Sequence, residues 1–183
     1  MKKDIILCGV GGHGILSIAT IIGQAALSAG LHIKQAEVHG MSQRGGDVQS
    51  NLRLSTEPIW SDLIPLGQAD LIISTEPMEA LRYVPYLAPD GVVVTSSLPF
   101  VNMPGYPEED KLQAELSRLP HLVQLDIEKK ALELGNLRTA NTVLLGAAAP
   151  YIDIISREQL REAVKLVFAS KGNDIIEANL KCL

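Results

Sequence analysis

Gly9, Gly11 and Gly14 stand in the segment GVGGHG, directly after the apolar run DIILCGV and before a long apolar-periodic stretch. Glycines at G-x-G-x-x-G spacing between a strand and a helix let the backbone approach a phosphate, with the leading helix N–H groups aimed at the anion. Gly12 and His13 complete this turn. Glu37 follows 23 residues after Gly14, where a dinucleotide-binding fold keeps the carboxylate that holds a ribose. The local pattern fits NAD binding. It equally fits a tight strand-to-helix turn that binds nothing.

The second constellation is EVHGMSQRGGD, Glu37–Asp47. In a plain dinucleotide fold Glu37 would lead into a helix, but this stretch reads as a loop. Arg44 is a permanent cation whose planar donor fork suits carboxylate or phosphate. Gly45 and Gly46 can take positive φ and expose N–H groups beside it. The loop is expected to present an anion site, or else a structural salt bridge on a hairpin bend. GMSQR is not a nucleophile elbow, because Arg44 takes the place of the final glycine. No Gly-Lys-Ser/Thr follows the glycine turn, so no Walker A motif exists. His13, His32, His39 and His121 lack metal-ligand spacing. Cys8 and Cys182 have no CxxC spacing, so this chain alone cannot build a four-cysteine iron–sulfur cluster or a zinc ribbon. Cys8 reads as a small buried hydrophobe.

These residues need a sheet and helices to place them. DIILCGV reads as a buried parallel strand. GHGILSIATIIGQAALSAG reads as a helix with a polar stripe (Ser17, Thr20, Gln24, Ser28), an apolar face (Ile15, Ile18, Ile22, Ala25) and Gly30 as its stop. HIKQAEV and VQSNLRLS are strands separated by about nine residues. That is too few for a parallel crossover, which predicts an antiparallel pair. ADLIIST, DGVVVTSS and HLVQLD read as further strands. PMEALRYVPYL reads as a helix opened by Pro77. Leu98–Asp110, with three prolines and a glycine, is an irregular excursion. KLQAELSRL, IEKKALELGN with Gly135 as its stop, TANTVLLGAAA, SREQLREAVKLVFASKG and NDIIEANLKCL read as helices. Thr139–Ala149 is rich in small residues, which favours close packing in the core over an interface. The alternation predicts an α/β protein, three-layer α/β/α and Rossmann-like, with a mainly parallel mixed sheet. It fits one domain over residues 1–183.

Lysine and arginine number 16 against 21 acidic residues, a net charge of −5 with no basic stripe, which argues against nucleic acid. No window reaches the ~18 apolar residues of a membrane span. The apolar run behind MKKD is too short for a signal peptide, so a cytoplasmic protein with no membrane role is expected.

GVGGHGILSIATIIGQAAL, EVHGMSQRGGDVQSNLRLS and GNLRTANTVLLGAAA, in this order and spacing, resemble the gamma-type subunit or domain of 2-oxoacid:ferredoxin oxidoreductases. EVHGMSQRGG is similar to the indolepyruvate branch of that family. The resemblance covers nearly the whole chain. It implies a complex that decarboxylates a 2-oxoacid, an aryl-pyruvate such as indolepyruvate, on thiamine diphosphate. Electrons pass through iron–sulfur clusters to ferredoxin, and coenzyme A takes the acyl group. Thiamine and clusters would sit on a larger partner subunit, because this chain carries neither motif. The resemblance places no catalytic residue here. It places coenzyme A near Gly9, Gly11, Gly12, His13 and Gly14, or near Ser42, Arg44, Gly45 and Gly46, with this chain helping to cover the active site. His13 stands where the family usually has glutamine. A histidine still donates a hydrogen bond, but its charge varies near neutral pH.

Overall fold

The computed structural model describes residues 1–39, 45–101 and 103–183. Six strands form one sheet in the order β2-β3-β1-β4-β5-β6. They are β1 (Lys2–Val10), β2 (His32–His39), β3 (Asp47–Ser55), β4 (Ala69–Ser74), β5 (Leu87–Ser96) and β6 (Leu122–Leu125). β1, β4, β5 and β6 run parallel, whereas β3 is antiparallel to both β1 and β2. The expected hairpin is therefore present, with Glu37 opposite Ser50 and His39 opposite Val48.

Alternation along the strands splits the core in two. Ile5 and Leu7 of β1, with Leu71 and Ile73 of β4, face a large cluster. That cluster is completed by α1 (Ile15–Ser28), α4 (Ile127–Glu133), α5 (Ala140–Ala148), α6 (Arg157–Val167) and α7 (Asn173–Leu180). Ile6 and Cys8, with Ile72 and Val93, face a smaller cluster built with α2 (Pro77–Arg82). α3 (Glu109–Leu116) packs beside α2. The result is the expected three-layer mixed α/β fold.

Local chemistry explains most element ends. α1 buries Ile15, Ile18, Ile22 and Ala25 as expected and stops before Gly30, whose φ of 71° only glycine adopts easily. Pro77 opens α2, but Pro85 breaks the continuation into a separate 3₁₀ turn, so the expected single helix is two pieces. β5 starts at Leu87, earlier than DGVVV suggests. Ser156 and Gln159 form a reciprocal capping box on α6. Val143, Leu144, Leu145 and Ala148 of α5 are buried, so this small-residue helix belongs to the core. Cys8 is buried too, and burial pushes its thiol pKa far up. Among the described residues no helix is long and apolar enough to cross a membrane.

Candidate functional site

The parallel strands end at one edge, and a cleft of about 700 Å³ opens there. Its floor carries Thr75 behind β4 and Ser96 at the end of β5. One wall is the glycine turn, Gly12 to Gly14, with Ser17 of α1. Asn136–Asn141, which runs from behind α4 through a 3₁₀ turn into α5, lines the cleft next to that turn. Leu98, Pro99 and Phe100 close a third side, and Phe168 and Lys171 a fourth. α1 leaves β1 on one face of the sheet and α2 leaves β4 on the other. The cleft thus sits at the switch point between β1 and β4, where open α/β sheets bind ligands.

The glycine turn differs in detail from the phosphate loop expected of it. A Cβ on Gly9 would stand 2.0 Å from Thr75 Oγ1, so Gly9 is small to let β4 pack. Gly14 caps α1 at φ 79°, and a Cβ there would meet the Asn141 amide at 2.8 Å. Asn141 Nδ2 donates to the Gly14 carbonyl at 3.3 Å, tying α5 to the turn. Gly12, at φ 101°, faces open space. Close packing against Thr75 therefore explains Gly9, the left-handed cap of α1 explains Gly14, and Gly12 leaves room for a ligand. The first turn of α1 has no acidic residue and no side-chain cap. Ser17 and Ile18 N–H already donate to the Gly14 carbonyl at 3.1 and 3.4 Å, so only the first two helical N–H groups are candidates for a ligand. His13 meets Phe100 edge-on, with ring centroids 4.7 Å apart.

The second constellation joins the first. Gly11 N–H donates to the Gly46 carbonyl at 2.8 Å, and Gly45 N–H donates to the Gly11 carbonyl at 3.3 Å. Gly45 and Gly46 thus reach the carboxyl end of the sheet beside the glycine turn. The amides of Gly11 and Gly45 hold the two turns together, a correction to the expectation that the Gly45 amide is exposed to an anion. Ser42 and Arg44 lie outside the described residues. Glu37 sits on β2, with β3 between it and β1. In a dinucleotide fold the acidic strand adjoins the glycine-loop strand. Here the inserted hairpin moves Glu37 two strands away, roughly 10 Å at normal strand spacing. That geometry does not support a shared NAD site.

Arg138 and Lys171 are the cationic lining of the cleft, and Glu128 the acidic one. Both cations are exposed, and neither forms an ion pair among the described residues. Lys171 Nζ lies 5.6 Å from the Phe168 ring centroid. Cations and a glycine turn lining one cleft, over a floor of hydroxyls, can hold an anionic ligand by charge and hydrogen bonds. Asn136, Arg138, Asn141 and Lys171 were not expected as site residues. The signal was the polar run NLRTAN ahead of an apolar helix, but only the fold brings it beside residues more than a hundred positions earlier.

Curated relatives cover almost the whole chain. An indolepyruvate oxidoreductase subunit IorB from Thermococcus kodakarensis is 38% identical over 96% of this chain and 91% of its own. One from Pyrococcus horikoshii is 39% identical over the same shares. Solved structures share the fold. A chain of 2-oxoglutarate:ferredoxin oxidoreductase from Magnetococcus marinus, solved with 2-oxoglutarate, coenzyme A and succinyl-CoA, superposes with TM-score 0.75 at 22% identity. It covers 99% of this chain and 29% of that one. A keto/oxoacid ferredoxin oxidoreductase gamma subunit from Geobacter sulfurreducens gives 0.69 at 24% identity, covering 98% and 93%. The family model for pyruvate ferredoxin/flavodoxin oxidoreductase matches residues 4–183, and with these relatives it settles the placement: the chain belongs to that family.

Proposed function

We propose that this chain is the small, non-catalytic subunit of a 2-oxoacid:ferredoxin oxidoreductase acting on indolepyruvate or another aryl-pyruvate. The complex would decarboxylate the 2-oxoacid oxidatively, pass the electrons to ferredoxin and release an acyl-CoA. The observation that carries the reading is the cleft at the carboxyl end of the sheet, lined by two cations that form no ion pair among the described residues, in a chain whose relatives include indolepyruvate oxidoreductase subunits. Thiamine diphosphate and the iron–sulfur clusters belong, in this reading, to a larger partner subunit. Both cysteines here are buried, and no three metal-ligating side chains converge among the described residues. The whole chain, 1–183, acts as one cytoplasmic domain.

Coenzyme A fits the cleft chemically. Its phosphates are anions, and the donors offered to them are the Gly12–Gly14 turn, the start of α1, Arg138 and Lys171. Coenzyme A accepts the acyl group when bound. The residues of this chain hold and orient it, and the Leu98–Phe100 wall shields it from water. The test uses the anaerobically assembled complex. Arg138→Ala combined with Lys171→Ala should raise the KM for coenzyme A roughly tenfold or more with little change in kcat, as loss of charge-assisted contacts does. A stable lone protein that responds to NAD(H) and not to coenzyme A would overturn the proposal.

A further inference from the structure

We propose that Glu76 and Tyr106 latch Leu98–Val101 and Met103–Tyr106 against the carboxyl end of β4, and that this latch positions the His13–Phe100 wall of the cleft for its ligand. The inference rests on the reading that the cleft holds coenzyme A. Apolar burial does not fix this segment: Leu98, Phe100, Val101 and Met103 are each more than two-fifths exposed. It belongs to no described helix or strand, and Pro99 and Pro104 limit the backbone donors it can offer. Polar ties must hold it.

Those ties converge on one buried carboxylate. Glu76, 1% exposed, caps α2 through Oε2, which accepts from the Glu79 N–H at 2.8 Å. Closing the turn between β4 and α2 needs only that oxygen. Oε1 accepts from the Phe100 N–H at 3.2 Å and from the Tyr106 hydroxyl. Glu76 thus divides its two oxygens between a helix cap and two points of the segment, Phe100 in the wall and Tyr106 beyond it. Burial, then Glu76, pushes the Tyr106 pKa far up, so the hydroxyl stays a donor. Phe100 is held next to its tied amide, with its ring edge against His13 of the glycine turn. Glu76 and Tyr106 do not line the cleft, so they act through Phe100 and are positioning residues.

Tyr106→Phe keeps the ring, removes the tie and leaves the α2 cap intact. Limited chymotrypsin cleavage of the full chain within 98–106 should become roughly tenfold faster. In the assembled complex the KM for coenzyme A should rise roughly three- to tenfold, the low end of losing a hydrogen bond to a charged acceptor, with kcat unchanged. Arg82→Ala is the control: it breaks the ion pair with Glu79 in the same helix and leaves the latch, so cleavage and KM should stay near wild type even if the melting temperature falls. Unchanged cleavage of Tyr106→Phe overturns the latch. Faster cleavage with unchanged KM, while the Arg138 and Lys171 variant still responds, overturns the positioning role alone. Equal effects of Tyr106→Phe and Arg82→Ala reduce it to general stability and overturn it. A wild-type complex indifferent to coenzyme A removes the reading of the cleft, and cleavage then decides the latch.

Discussion

Gly146→Ala should destabilise the protein, and the sign of the effect tests the packing. Gly146 lies inside α5, where glycine is about 1 kcal/mol worse than alanine. If nothing pressed on it, the substitution would stabilise by about that amount. A Cβ there would stand 2.0 Å from the Cys182 carbonyl oxygen, 3.1 Å from its carbon and 3.5 Å from Leu183 Cα. These are backbone atoms, so no side-chain rotation relieves the clash. One escape moves Cys182 and Leu183 off by about 1 Å, an overpacking cost of ~1–3 kcal/mol. The other detaches them. Detachment re-exposes Leu183, now 5% exposed, at ~1.5–3 kcal/mol, and loses the contact of Cys182 Sγ with Thr139 Oγ1 at 3.2 Å. Setting the ~1 kcal/mol helix gain against either escape leaves a net loss of up to about 2 kcal/mol. Urea unfolding gives the stability, and thiol labelling of the folded protein tells the escapes apart. Labelling should accelerate at Cys182 and stay slow at Cys8, which serves as the internal control. A more stable variant with an unreactive Cys182 would refute the contact.

Further outcomes follow from other buried groups. Burial holds the Glu79 carboxyl above its ordinary range, Arg82 opposes this and Asp47 adds to it. The folded state therefore keeps a proton that the unfolded chain releases, and stability falls as pH rises from the ordinary carboxylate range through the raised one. Glu79→Gln should flatten that fall, by at most ~1.4 kcal/mol per pH unit for one proton; parallel pH–stability curves would contradict this. Arg53 pairs with the buried Asp4 through Nε at 2.8 Å and holds the carbonyls of Ser61 and Leu63. Asp4 keeps Lys2 at 3.0 Å, so Arg53→Ala should cost ~1.5–3 kcal/mol and lower the fluorescence anisotropy of Trp60, the single tryptophan; unchanged anisotropy would count against the clamp. Asn141→Ala removes the tie between α5 and Gly14; on the proposed reading of the cleft the KM for coenzyme A of the assembled complex should rise severalfold, and an unchanged KM would count against that role.

The elements were legible where local chemistry decides them. The hairpin followed from a separation too short for a crossover, and α1 from its apolar face and terminal glycine. Pro85 breaks the helix begun at Pro77, a rule visible in the sequence but outweighed there by the apolar pattern. Gln159 pairs reciprocally with Ser156 three residues away, because that spacing brings the side chain back to the cap. The glycine turn was legible as a turn, but the reason for Gly9 was not: it depends on Thr75, brought alongside by strand pairing. Likewise the amides of Gly11 and Gly45 meet only because β1 and β3 pair in one register. Arg138 and Lys171 reach the cleft from 3₁₀ turns that follow α4 and α6 on the face that α1 also covers, a juxtaposition that no local pattern encodes. The family resemblance carried the functional reading further than those local rules.

The placement of β1 has a consequence for the order in which the molecule assembles. β2 and β3 close over a short connection, so that hairpin can form early. β1 must then find β3 on one side and β4 on the other, with Ile5 paired to both Leu52 and Leu71. These pairings are distant in sequence, and closing such loops is slow. The glycine turn is anchored by β1, by Gly46 next to β3 and by Thr75 behind β4. None of these anchors is complete until the central strand has both neighbours. A nascent or partly folded chain therefore has no competent cleft, and ligand binding becomes a report on the last long-range pairing of the sheet.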